Sequence, residues 1–157
     1  MKKFNLFAVL AVIAVMFVAC ESSNKPTPEE VAKMVVKYGD TEMKGGETIT
    51  VSEANYGEMI AHFSIVNNDA RPVKFTVTET RRFDANVQGS AMCFSVCMQG
   101  NSEPEQVWTT DNVNPGATQT ADYHLYLKNG AETTSSEADL LFSDGETEIK
   151  VLVKFAL

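Results

Sequence analysis

The sequence predicts an all-β fold, an antiparallel β-sandwich carried behind an N-terminal export segment. Hydrophobic residues alternate at period two over several stretches, turn residues fall at regular intervals between them, and no long helical pattern interrupts. The chain has 157 residues, 44% of them hydrophobic, enough for one domain with a real core. Its mean hydropathy of -0.12 argues against bulk disorder. A net charge of -8 excludes nucleic acid as a partner, because neutralising phosphates requires clustered Lys and Arg.

The N-terminus sets the compartment. Lys2 and Lys3 precede an unbroken apolar run from Leu6 to Val18. That run is shorter than the roughly 20 residues a membrane-spanning helix needs, and it has the flanks of a signal peptide. Phe17-Val18-Ala19-Cys20 resembles the bacterial lipobox, in which the cysteine is acylated and becomes the first mature residue. The resemblance implies a lipoprotein signal peptide over residues 1–19 and lipidation of Cys20. Residues 20–30 are polar, with Pro26 and Pro28, and read as a flexible tether; residues 31–157 then form the domain. Two acyl chains anchor stably where one is marginal. Removing residues 1–19 takes away Lys2 and Lys3 and moves the charge from -8 to -10, which keeps the anchored domain soluble and away from anionic lipid.

Where the tether meets the domain, Thr27-Pro28-Glu29-Glu30 has a capping-box pattern, with Val31, Met34 and Val35 at helical spacing. Against a helix stand the β-rich run Met34 to Tyr38 and the turn residues Gly39-Asp40. A strand over Lys33 to Tyr38 is the reading adopted. Glu47 to Val51 and Val107 to Thr110 are short strands. Met59 to Val66 places Ala61, Phe63 and Ile65 inward. Pro72 to Thr80 does the same with Val73, Phe75 and Val77. Tyr123, Leu125 and Leu127 alternate with His124, Tyr126 and Lys128. The last strand turns Ile149, Val151, Val153 and Phe155 inward and Lys150 and Lys154 outward. Asp144-Gly145 between two strand patterns is a hairpin signal.

This order of segments resembles an immunoglobulin-like domain carried by small exported Bacteroidota proteins. The matching parts are Ile49 to Glu53, Phe63 to Asn68, Pro72 to Thr80, Gly89 and the turn Cys93-Phe94-Ser95-Val96-Cys97. The resemblance covers Thr48 to Leu157 and implies an immunoglobulin-like sandwich of about seven to nine strands. The family is largely uncharacterised, so what it implies is fold and export.

Cys93 and Cys97 lie too far apart in an extended strand, about 13 Å, for a disulfide, so bonding requires a turn between them. An oxidising compartment favours the disulfide. The alternative is a Cu(I) site, since Met92, Cys93, Cys97 and Met98 place two thiols and two thioethers in one short segment. Catalytic candidates are lacking: the two histidines, His62 and His124, fall on strand patterns, and no HExxH, GxSxG or Walker pattern occurs. The expectation is a lipid-anchored envelope protein at the outer membrane, not an enzyme, without cofactor, that binds or supports. Its partners are the membrane through the lipid, and a glycan or another envelope protein. A carbohydrate-binding surface using the aromatics Trp108 and Tyr126 is the alternative within this reading.

Overall fold

The computed structural model describes residues 32–157. The segments expected to be a signal peptide and a tether, with Cys20 between them, lie outside the described residues. Two sheets face each other. One has six strands in the order β2 (Thr41–Met43), β1 (Met34–Tyr38), β4 (Glu58–Asn67), β9 (Thr118–Leu127), β6 (Val87–Cys93) and β7 (Cys97–Gln99). The other has five, in the order β3 (Glu47–Val51), β11 (Glu148–Ala156), β10 (Ser135–Ser143), β5 (Thr76–Arg82) and β8 (Glu105–Thr109). The arrangement β1-β4-β9-β6 corresponds to strands A, B, E and D of an immunoglobulin domain, and β11-β10-β5 to G, F and C. Here the D-like strand β6 precedes β8, which pairs with the C-like strand.

The alternation read from the sequence places the core as expected. Met59, Ala61, Phe63 and Ile65 from β4 meet Leu140, Phe142, Val151, Val153 and Phe155 from the opposite sheet. Phe63 packs on Phe142 with ring centroids 5.2 Å apart, and Tyr123 on Phe155 at 5.8 Å, so aromatics stitch the two sheets together. Residues Met34 to Tyr38 form a strand, not a helix, because Met34 and Val36 are buried at period two.

Three expectations are corrected. The described residues hold eleven strands, more than seven to nine. The additions include β2 and β7, each three residues long, and β6, whose Gly89-Ser90-Ala91 stretch lacks the branched residues that signal a strand. The sheets are not wholly antiparallel, because β3 runs parallel to β11, with Ile49 opposite Val153. The chain leaves β2 in one sheet and joins the other through Gly45 (φ 97°) and Gly46 (φ 90°), whose amide donates to the Lys150 carbonyl at 2.8 Å. Trp108 is 4% exposed and packs 6.4 Å from Tyr123, so it belongs to the core and is not available to stack on a sugar.

The outer faces of the sheets differ. On the five-stranded sheet, Arg82, Lys150 and Lys154 alternate with Glu137 and Asp139 in a ladder of ion pairs of 2.9–3.5 Å. These five charges satisfy one another. The six-stranded sheet instead presents histidines, carboxylates, an aromatic and the cysteine hairpin.

Candidate functional site

Strands β4 and β9 build this face. Their register sets Glu58 opposite Tyr126, Ile60 opposite His124 and His62 opposite Asp122, and alternation turns all six away from the core. His62 Nδ1 lies 3.0 Å from Asp122 Oδ1, directly across the ladder. His124 Nδ1 reaches diagonally to Glu58 Oε1 at 2.6 Å. The His124 ring also stacks on Tyr126, with centroids 6.2 Å apart.

The turn entering β4 closes one end of the face. Asn55 and Glu58 exchange both backbone hydrogen bonds, leaving Tyr56 (φ 52°) and Gly57 (φ 80°) as the two central residues. Positive φ at both positions is a type I′ hairpin, which favours Asn-Gly and disfavours a bulky residue at the first position. Tyr56 occupies that position with its side chain fully exposed, at 104%.

Two grooves flank this turn. One, of about 580 Å³, is lined by Tyr38, Glu53, Asn55, Glu58, Ile60 and His62, with the Ser52–Ala54 segment as its wall. The other, of about 500 Å³, is lined by Tyr56, Tyr126, Gln88, Gln99 and the backbone at Gly89 and Gly100. An aromatic surface with amide side chains beside it can stack on an apolar ring face while hydrogen-bonding the ring substituents.

Of the residues singled out in the sequence, Tyr126 lies in the second groove and Trp108 does not. Cys93 and Cys97 are joined by a disulfide. They are direct partners across the β6–β7 hairpin with Cα atoms 3.9 Å apart, so the turn that brings them together is a hairpin turn at Phe94-Ser95-Val96. Met92 is fully buried and Met98 packs against the core, whereas Cys97 is exposed. Neighbouring strand residues face opposite sides of a sheet, so the two thioethers do not converge with the two sulfurs. The Met92-Cys93-Cys97-Met98 copper site is therefore not formed.

Sequence reasoning missed Tyr56 and the two histidine–carboxylate pairs. The Tyr-Gly step between two strand patterns signals the turn. The pairs depend on register, which no local pattern contains.

A second polar cluster lies within the core. Glu79 on β5 is fully buried and accepts hydrogen bonds from the hydroxyls of Ser90 (2.8 Å) and Tyr123. Its other oxygen faces Arg81 Nε at 3.8 Å. Burial pushes the Glu79 carboxyl above its ordinary range, against the opposing pull of the two hydroxyls and Arg81. Burial first, and then the charge of Glu79, hold the Tyr123 phenol well above its own. Arg81 in turn donates to the carbonyls of Asn101 (2.7 Å) and Glu103, tying the β7–β8 loop to the core.

No family model matches the sequence, and no curated protein matches it. Among solved structures the chain is similar to the N-terminal domain of PorA, with a TM-score of 0.50 and 21% identity over 78% of this chain and 96% of that one. It is also similar to CfaE, the adhesive subunit of CFA/I fimbria of enterotoxigenic Escherichia coli, with a TM-score of 0.41 and 6% identity over 80% of this chain and 49% of that one. A third neighbour is BcpA, the major pilin subunit of Bacillus cereus, with a TM-score of 0.42 and 11% identity over 78% of this chain and 39% of that one. At 21% identity, the likeness to the PorA domain is one of fold.

Proposed function

We propose that this protein is a lipid-anchored envelope protein of the outer membrane whose sandwich domain binds a surface carbohydrate without catalysing a reaction. The observation that carries the binding reading is Tyr56. A fully exposed aromatic is held in a left-handed turn at the rim of a groove that also contains Tyr126, Gln88 and Gln99. Left-handed backbone is unfavourable for a residue with a Cβ, by about 1–2 kcal/mol. Strain at an exposed aromatic is understandable where the side chain is used. Tyrosine stacks on a sugar's apolar face, and the two glutamines supply a donor and an acceptor each for hydroxyls.

The anchoring reading rests on the lipobox resemblance at Phe17-Val18-Ala19-Cys20 and on the polar tether after it. The -10 charge of the mature chain supports a domain held off the membrane by its tether and not pressed onto it.

A glycan array probed with the full chain, followed by calorimetry on any sugar that binds, tests the first part. Tyr56→Asn and Tyr126→Ala are each expected to weaken binding at least tenfold while leaving the melting temperature within a few degrees. A sugar bound equally well by both variants removes this groove from the proposal. Metabolic labelling with a fatty-acid analogue tests the second part. Wild type takes up label and Cys20→Ala does not; an unlabelled wild type overturns the anchor.

A further inference from the structure

The cysteine hairpin and His124 come from distant parts of the sequence, and the β6–β9 register brings them together. Cys93 lies opposite Asp122 and Ala91 opposite His124, which sets the imidazole beside the disulfide on the same outer face. A ring nitrogen of His124 and both cysteine sulfurs lie within 4.8 Å of one another. Glu58 occupies His124 Nδ1 at 2.6 Å, leaving Nε2 for another partner. A carboxylate behind an imidazole is the usual outer-shell arrangement of a metal-ligating histidine, fixing its tautomer and raising its basicity.

We propose that reduction of the Cys93–Cys97 bond converts this cluster into a zinc site with Cys93, Cys97 and His124 as ligands. In the oxidised protein the sulfurs are bonded to each other and carry no thiolate charge. An external dithiol supplies the two electrons. Its thiolate attacks one sulfur of the bond and releases the other as a thiolate. The donor's second thiol then resolves the mixed disulfide, leaving the donor oxidised and Cys93 and Cys97 as a dithiol. Zinc takes the place of the two thiol protons, which leave to solvent, and accepts the Nε2 lone pair.

The geometry suits the ion. Tetrahedral zinc with Zn–S bonds of about 2.3 Å needs its two sulfurs roughly 3.8 Å apart. Directly opposed residues in an antiparallel pair have Cβ atoms about 4.5–5.5 Å apart, from which rotation about the Cα–Cβ bonds can bring two sulfurs to that separation. Two thiolates balance the charge of Zn²⁺, and the exposure of Cys97 leaves the fourth position to water. Soft sulfur donors with one imidazole favour zinc over magnesium or calcium, which take oxygen ligands.

The test titrates Zn²⁺ into the full chain before and after reduction with a phosphine, in competition with a chromophoric zinc chelator. Reduced protein is expected to take up about one equivalent, and oxidised protein none at this site. Cobalt(II) in place of zinc is expected to give the intense visible bands of a tetrahedral thiolate complex. His124→Ala is expected to weaken zinc binding at least tenfold, and Glu58→Gln by roughly 10–100-fold, the usual effect of removing an outer-shell partner. Melting curves of the oxidised variants establish that each is folded. Reduced wild type that takes up no zinc overturns the proposal, and so does an affinity unchanged in folded His124→Ala.

Discussion

Tyr56 sits where hairpin chemistry asks for asparagine, and this sets up a separation of stability from recognition. Tyr56→Asn relieves the left-handed strain, since asparagine tolerates that conformation far better. Its melting temperature is expected to match or exceed that of wild type while sugar binding falls. Glu79 is the opposite kind of residue, buried and silent at the surface. Its carboxyl is raised in the folded state, so between its ordinary value of 4.5 and the raised one the native protein holds a proton that the unfolded chain releases. Stability from this group is therefore present below about pH 4.5 and is lost as pH rises through the raised value. Asp139 and Glu137, held low by Arg82, Lys150 and Lys154, act in the other direction, and their contribution is lost as pH falls below the ordinary carboxylate range. Glu79→Gln keeps an oxygen to accept from Ser90 and Tyr123. Denaturation across pH 4–8 should show a flatter decline on the alkaline side for this variant and an unchanged acid limb.

At the scale of elements, the β6–β7 hairpin is closed covalently by Cys93–Cys97. Its disulfide closes only a short loop, so the chain-entropy model gives about 2 kcal/mol, the low end for such bonds. Cys97→Ser is expected to lower the melting temperature by roughly 4–8 °C without unfolding the domain, as calorimetry would show. Asn67 ends β4 more firmly. Its buried amide donates to the carbonyls of Arg71 (2.9 Å) and Val113 (2.8 Å), and its Oδ1 accepts from the Asp69 amide. Asn67→Ala leaves two carbonyls without that donor, and a loss of about 1–3 kcal/mol in denaturant unfolding is expected.

For the molecule as a whole, the aromatic stitching between sheets dominates. Phe142 is fully buried against Phe63, and Phe142→Ala is expected to cost about 3–5 kcal/mol in chemical denaturation. Trp108→Ala should behave similarly, a loss of stability and not of a ligand, whereas Tyr126→Ala should do the reverse. The sandwich was legible because alternation is local: the inward sets Met59 to Ile65 and Ile149 to Phe155 follow from period two alone. The same parity along β5, extended two residues past Val77, places Glu79 inward, where it is fully buried. For Trp108 the sequence left core and surface both open, and pairing of its strand with Val77 on β5 settles it inward.

The sequence by itself determined the long strands, their inner and outer faces, and the hairpin turn at Asp144-Gly145, because each depends on neighbours a few residues apart. It also supplied Cys93 and Cys97 at a spacing that a hairpin can close. Only the tertiary structure decided that His124 stands beside that pair with Glu58 behind it, that β3 runs parallel to β11, and that Met92 and Met98 turn away from the sulfurs. Those outcomes rest on register between strands far apart in the chain, and one residue of slip would send every side chain to the other face.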